Sequence, residues 1–166
     1  MAWANSKIFR QWIADSLAPT ASFVGKWNST DVYNAALYNN TTAPDATVTA
    51  ALSAYNAGSS QWVTANEVID TLNSNWLAGG RAVAGTGSGG GYSSSALLIT
   101  FTGSNTSGAG NLTITNAYGD LLYDNTLSTP VSKQGAAFHY FGGAQSVTNG
   151  TFTIQWNASG IMQVTF

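Results

Sequence analysis

The chain has 166 residues, of which 44% are hydrophobic, and no cysteine, so it suffices for one ordinary domain and excludes disulfides and thiolate metal sites. Only 7% of its residues are charged, against about 25% in typical soluble domains, and a net charge of -2 with scattered basic residues excludes the cationic surface that nucleic-acid binding needs. No apolar run approaches about 18 residues and Lys7 and Arg10 interrupt the N-terminal apolar residues, so neither a membrane span nor a secretory signal is expected.

The first predicted element is a short amphipathic helix within residues 5–17. Its apolar residues recur four apart, Asn5 or Ser6 is a suitable cap, and Pro19 ends it. An isolated helix this short is marginal in water. We therefore expect residues 1–19 to dock as a helix or arm, more often on the protein's own sheet than on a partner. The side chains that would carry a partner contact are Trp3, Ile8, Phe9, Trp12 and Ile13.

The rest of the chain, residues 20–166, is expected to form a β-rich body. Residues 31–38 have the composition of a strand, and residues 39–44 that of a loop. A second short helix is predicted within residues 45–57, because Val48, Leu52 and Tyr55 recur at helical spacing. The mixed periodicity of residues 62–76 indicates a helical or irregular connection.

A glycine-rich segment at residues 85–91 has the composition of a flexible loop and is too short to separate two domains, so we expect a single domain over residues 1–166. Strand patterns separated by turn residues follow it. They cover residues 95–102, 111–117, 120–125, 136–141, 148–156 and 161–166.

The clearest alternation is in residues 151–156, after which residues 157–160 turn the chain into the last run. The spacing of the runs suggests antiparallel hairpins. The predicted fold is therefore mainly β, an antiparallel sandwich or barrel-like domain with an N-terminal amphipathic helix and one or two further short helices.

Residues able to perform catalysis are few. His139 lies in a strand-like run, where a hydrogen-bonded structural histidine is the commoner role, and a general base would need an orienting acid and a nucleophile brought by the fold. Residues 85–90 satisfy a dinucleotide fingerprint, but a strand pattern rather than a helix follows. We expect no enzyme activity, no catalytic residues and no cofactor.

Two pairs of acids are the candidate metal ligands. In a strand, Asp120 and Asp124 would share a face but stand about 13 Å apart at roughly 3.3 Å per residue, too far to share one ion without a bend. Turn and capping roles are expected for them and for Glu67 and Asp70, and no metal site is predicted.

Six tryptophans leave a glycan-binding module as an alternative from another class of protein. Trp12 and Trp156 lie on predicted apolar faces, where burial is expected. Four others are candidates for exposed rings that stack on sugars: Trp3, Trp27, Trp62 and Trp76.

Several blocks of sequence resemble the small virion structural proteins of tailed phages, especially those that infect actinobacteria. The blocks are residues 4–12, 31–37, 66–68, 79–83 and, most specifically, the Gly-Thr-Phe-Thr-Ile-x-Trp-x-x-x-Gly-Ile pattern at 150–161. Residues 39–62 depart from the family, because an Ala/Thr/Asn-rich stretch replaces its charged Thr-Pro-Asp-rich loop.

The resemblance implies a decoration protein that binds the outside of the phage head and stabilises the capsid lattice, with the major capsid protein and copies of itself as partners. It implies synthesis and assembly in the host cytoplasm and a final place on the outer capsid surface. A tail or baseplate subunit is the alternative within the same class. The family has no catalytic residue to transfer.

Overall fold

The fold is that of a computed structural model that describes residues 3–17, 31–58, 61–84, 87–93, 96–104 and 106–165. Antiparallel strands dominate it, so the prediction of a mainly β protein is confirmed. In chain order the elements are β1 (Lys7–Ile8), α1 (Arg10–Leu17), β2 (Tyr33–Tyr38), α2 (Ala50–Ser53), a 3-10 turn (Thr64–Asn66), β3 (Glu67–Val68), β4 (Arg81–Ala82), β5 (Gly87–Ser93), β6 (Ala96–Thr102), β7 (Thr106–Asp124), β8 (Gly135–Ile154) and β9 (Met162–Thr165).

The larger sheet is built on the long hairpin of β7 and β8. β2 pairs with β7, β1 pairs with β8, and β3 and β4 both pair with the outer edge of β2. Most of β2 is buried, which agrees with its nearly continuous apolar sequence. Gly80, just before β4, has a φ of +70° and lies against the backbone of Ala35, where a Cβ atom would collide. This close approach lets β4 reach β2.

The smaller sheet contains β5, β6 and β9, with β6 in the centre. Phe101 of β6 is buried and packs on Tyr33 of the larger sheet, with ring centroids 4.7 Å apart. One hydrophobic cluster contains buried side chains from both sheets. The two sheets thus share a core, while a sandwich or barrel arrangement stays a prediction.

The N-terminal segment packs on the protein's own core. Trp3 and Phe9 make edge-on contacts with Trp62 and with Phe138 of β8, at centroid distances between 5.5 and 6.1 Å. Trp12 of α1 packs edge-on against Tyr33 at 6.0 Å. Aromatic pairs in this geometry contribute about 0.5–1.5 kcal/mol each beyond the area that they bury. The segment is therefore an integral part of the core.

Two predicted helices are shorter than expected. The first begins at Arg10 because residues 7–8 pair with β8 as a strand, and the Phe9 amide donates to the Ala136 carbonyl at 3.0 Å. The apolar residues at the start of this segment have helical spacing, but the backbone of residues 7–8 forms hydrogen bonds with β8 and is therefore extended. The second helix is a single turn, and residues 62–76, expected to be helical or irregular, contain the 3-10 turn and the two-residue strand β3 in an otherwise irregular segment. Pro19 lies outside the described residues.

The pairing of the strands differs from the predicted hairpins. Residues 87–93 form β5 rather than a flexible loop, because β6 supplies backbone partners that composition does not reveal. Four of the predicted runs merge into the two long strands β7 and β8. Where turns between separate strands were expected, β-bulges bend these strands instead. The turn at 157–160 is present, but it leads into β9, which pairs with β6 and not with β8.

Candidate functional site

The candidate site is a groove formed where β8 bends. Gly119 pairs with Tyr140 and Ala117 with Gln145, so residues 141–144 bulge out of the ladder. Gly142 and Gly143, at φ +80° and +148°, make this bend because other residues rarely adopt such angles.

A second irregularity follows at Asn149, whose φ is +52°. Together the bends bring the rings of Phe141 and Phe152, from the two halves of β8, within 6.2 Å. The dipeptides Gly142-Gly143 and Asn149-Gly150 are the sequence signals from which these bulges could have been predicted.

We call this concavity the β8 groove. Its volume is about 390 Å³, within the range of small-molecule sites. It is lined by residues 139–141 and Gln145 from the first half of the strand, and by residues 152–157 with Gly160 and Ile161 from the second half and the following turn. Apart from His139 and Tyr140, none of these residues is titratable. The groove thus combines aromatic rings with amides and hydroxyls.

The aromatic walls of the groove are held in place. The Nε1 of Trp156 donates to the hydroxyl of Thr106 at 3.3 Å, and its ring meets the imidazole of His139 edge-on at 5.1 Å. Phe152 packs edge-on against the buried Trp76 at 5.7 Å. Trp156 and Phe152 are each half-buried, so part of each ring stays accessible. The β8 groove is therefore a preformed surface.

His139 is oriented by Asp120, the acid directly opposite it on β7. Its Nδ1 lies 2.7 Å from the Asp120 Oδ1, and the backbone carbonyl of Ile161 accepts a further hydrogen bond. Burial favours the neutral imidazole, but the negative charge of Asp120 and these hydrogen bonds outweigh it and raise the pKa of His139. Asp120 thus orients the imidazole through Nδ1, which agrees with the predicted hydrogen-bonded strand histidine.

The other acids are tied into local structure. Glu67 accepts hydrogen bonds from the Tyr55 hydroxyl and the Gly79 amide, each at 2.7 Å, and burial raises its pKa. Asp70 accepts from the backbone amides of residues 72, 75 and 113, which lower its pKa. Asp124 caps the turn after β7, as expected. Among the described residues, no group of three or more potential ligands is placed to hold a metal ion.

Most of the predicted partner-binding residues are inside the protein. Trp3, Phe9 and Trp12 are buried in the protein's own core, which agrees with the favoured docking on its own sheet and removes them as candidates for a partner contact, whereas Ile8 and Ile13 remain partly accessible.

The tryptophans proposed for sugar stacking are also misplaced for that role. Trp62 and Trp76 are buried, as is Trp3, and Trp27 lies outside the described residues. Trp156, predicted to be buried, lines the β8 groove.

No helix in the described part of the chain has the length and apolar character of a membrane span. Searches with this chain found no matching family model, no matching curated protein and no matching solved structure.

Proposed function

We propose that this chain is a virion structural protein that decorates the outside of a tailed-phage head and stabilises its lattice. The blocks of sequence that resemble small phage virion proteins support the head assignment, above all the pattern at residues 150–161. A binding role is supported by one structural observation, the open and uncharged edge of β8.

The edge of β8 carries the proposal. On the side away from β7, the described partners of β8 lie at one end: β1 pairs with Ala137 and Phe138, the Phe9 amide donates to the Ala136 carbonyl, and the Tyr140 amide donates to the Ser6 hydroxyl. From residue 140 onward the chain contains no Asp, Glu, Lys, Arg or His. Soluble proteins usually protect an exposed edge with charges, particularly lysine, because unpaired backbone groups recruit another strand. An edge without them suits a surface that another subunit covers.

Such a contact stabilises a shell by repetition. Hydrogen bonds from an added strand are individually modest, but many copies on a symmetric lattice act together, so that the assembly holds although each contact is weak. The low charge of the whole chain fits this role, because a surface that docks by shape and backbone pairing loses little from the absence of ion pairs.

The test is binding of the purified protein to phage particles that lack it. Thr151 is exposed on β8, and Thr151→Lys puts a charge on the edge without disturbing the core. We expect this variant to stay folded but to lose particle binding. Ser128→Lys, which adds the same charge at an exposed position between β7 and β8, is the control and should bind as the wild type does.

Localisation separates the two virion assignments. Labelled antibody on intact particles should mark the head. Labelling of the tail alone would reject the head assignment in favour of a tail or baseplate subunit, and absence from purified particles would reject a virion role altogether.

A further inference from the structure

We propose that the β8 groove binds a neutral oligosaccharide. This is a second function beyond virion assembly, and it does not depend on the proposed docking of the β8 edge, because one chain supplies every residue that lines the groove.

The absence of charge selects the class of ligand. Among the described residues that line the groove there is no Asp, Glu, Lys or Arg, and the charge of a protonated His139 is balanced by Asp120, 2.7 Å away. A phosphate or carboxylate ligand would lose its hydration without gaining an ion pair or a bidentate partner. A nucleotide, an acidic sugar or an acidic peptide is therefore a poor fit.

The rings of the groove suit the apolar faces of sugars. A pyranose presents a face of C–H groups and an edge of hydroxyls, and the C–H face packs against aromatic rings, whose surface is apolar. The accessible parts of Trp156, Phe152 and Phe141 provide such surfaces, and the first two rings are fixed by Thr106 and Trp76. Rings that are fixed before binding lose little conformational entropy when the ligand arrives.

The amides of the groove suit the hydroxyl edge. A sugar hydroxyl donates and accepts hydrogen bonds, and an amide side chain can satisfy both. Gln145, Gln155 and Asn157 are exposed around the rings. The Oδ1 of Asn157 accepts from the Ser159 amide at 2.8 Å, which orients this side chain and leaves its NH2 group as a donor. A purely apolar ligand would offer no hydrogen bond to Gln155 or to the NH2 group of Asn157, whereas Gln145 already donates to the carbonyls of Phe141 and Gly143 at 3.4 and 3.5 Å.

The test uses the full-length chain and trisaccharide probes. Maltotriose, cellotriose, mannotriose and N,N′,N″-triacetylchitotriose are the neutral probes, and trigalacturonate is the charged comparison. Calorimetric titration measures affinity, and saturation-transfer NMR identifies the contacting sugar protons. We expect saturable binding of at least one neutral probe, with the strongest transfer to C–H protons on one ring face, and no binding of trigalacturonate.

Variants locate the binding. Gln155→Ala removes one exposed amide and should weaken binding by roughly threefold to tenfold, the range that one neutral hydrogen bond spans. Trp156→Phe, which loses ring area and the bond to Thr106, should weaken it by a similar factor. Gln163→Ala removes an exposed amide on β9 outside the groove and should change nothing.

Three outcomes would overturn the proposal: no saturable binding of any neutral probe, equal binding of trigalacturonate, or affinity unchanged by Gln155→Ala. Because Gln155 is exposed, its variant stays informative even where the tryptophan variant unfolds. The particle-binding assay with Thr151→Lys is a separate readout, so failure of the glycan proposal and failure of the assembly proposal remain distinguishable.

Discussion

Replacing Asp124 with Asn should stabilise the protein at neutral pH. The Asp124 side chain at the end of β7 is fully buried, and its Oδ1 accepts hydrogen bonds from the amides of Thr126 and Leu127 at 2.9 and 3.0 Å. Burial raises the pKa of this carboxyl to about 6, with the hydrogen bond from Thr126 opposing the rise and the nearby charge of Asp31 adding to it. The amide oxygen of Asn can accept the same two hydrogen bonds.

The sign and size of the change in stability with pH follow from the difference between the folded pKa of Asp124, about 6, and its ordinary value of 3.8. The folded state holds the proton more tightly than the unfolded state, so this group stabilises the fold most in acid. That stability is lost as the pH rises from about 4 to about 6 and stays lost above it. At ~1.36 kcal/mol per pKa unit, the loss amounts to about 3 kcal/mol. Asp124→Asn avoids it, since an amide does not ionise.

Urea unfolding of both proteins between pH 4 and pH 8 measures this effect. The free energy of unfolding of Asp124→Asn minus that of the wild type should rise by about 2 to 3 kcal/mol up to pH 6 and then level off. Asp70→Asn is the matched control with the opposite sign, because hydrogen bonds lower the pKa of Asp70. The free energy of unfolding of Asp70→Asn should fall below that of the wild type by the largest amount at neutral pH, and this difference should shrink in acid. A difference for Asp124→Asn that does not change with pH would refute the reasoning.

Three further predictions concern the fold, and unfolding free energies or circular dichroism check them. Gly80→Ala should lower the free energy of unfolding by more than about 3 kcal/mol, since its Cβ would collide with the backbone of Ala35. Gly58→Ala, with open space around it, is the control and should lower it by less than about 1 kcal/mol. Equal losses would contradict the close approach of Gly80 to Ala35. Trp62→Ala should cost about 3–5 kcal/mol because four aromatic rings surround it, and a loss below about 1 kcal/mol would argue against this core. Removal of residues 1–17 should unfold the protein; a folded truncated chain would show that the segment is a separable arm.

Sequence patterns predicted correctly those elements whose conformation depends on residues close together in the chain. The strand at β2 and the turn at 157–160 follow from a continuous apolar run and from Asn, Ser and Gly in sequence. The fate of residues 87–93 was not predictable in this way. Their glycines weaken a strand, and they form one only because β6 is placed beside them. Pairing between distant segments is a property of the whole chain.

The candidate site was only partly predictable. His139 was identified as a hydrogen-bonded strand residue, but its partner Asp120 is on another strand and became evident only from the register of β7 and β8. Trp156 was expected in the core because it alternates with polar residues, and the bend of β8 instead leaves it at the rim of a groove. Period-2 alternation predicts which face a side chain occupies, but it does not predict how the strand bends.

The bend also bears on how an uncharged edge avoids pairing with unrelated strands. A long, flat edge without charges would pair with any neighbouring strand, including another copy of this chain. The bulges at residues 141–144 and around Asn149 curve β8 and interrupt its ladder, so a straight strand could pair with only a short part of it. A partner strand with matching curvature could pair along the whole edge. On the proposed docking surface, curvature therefore supplies the selectivity that charged residues supply elsewhere, and it does so without weakening the contact with the intended partner.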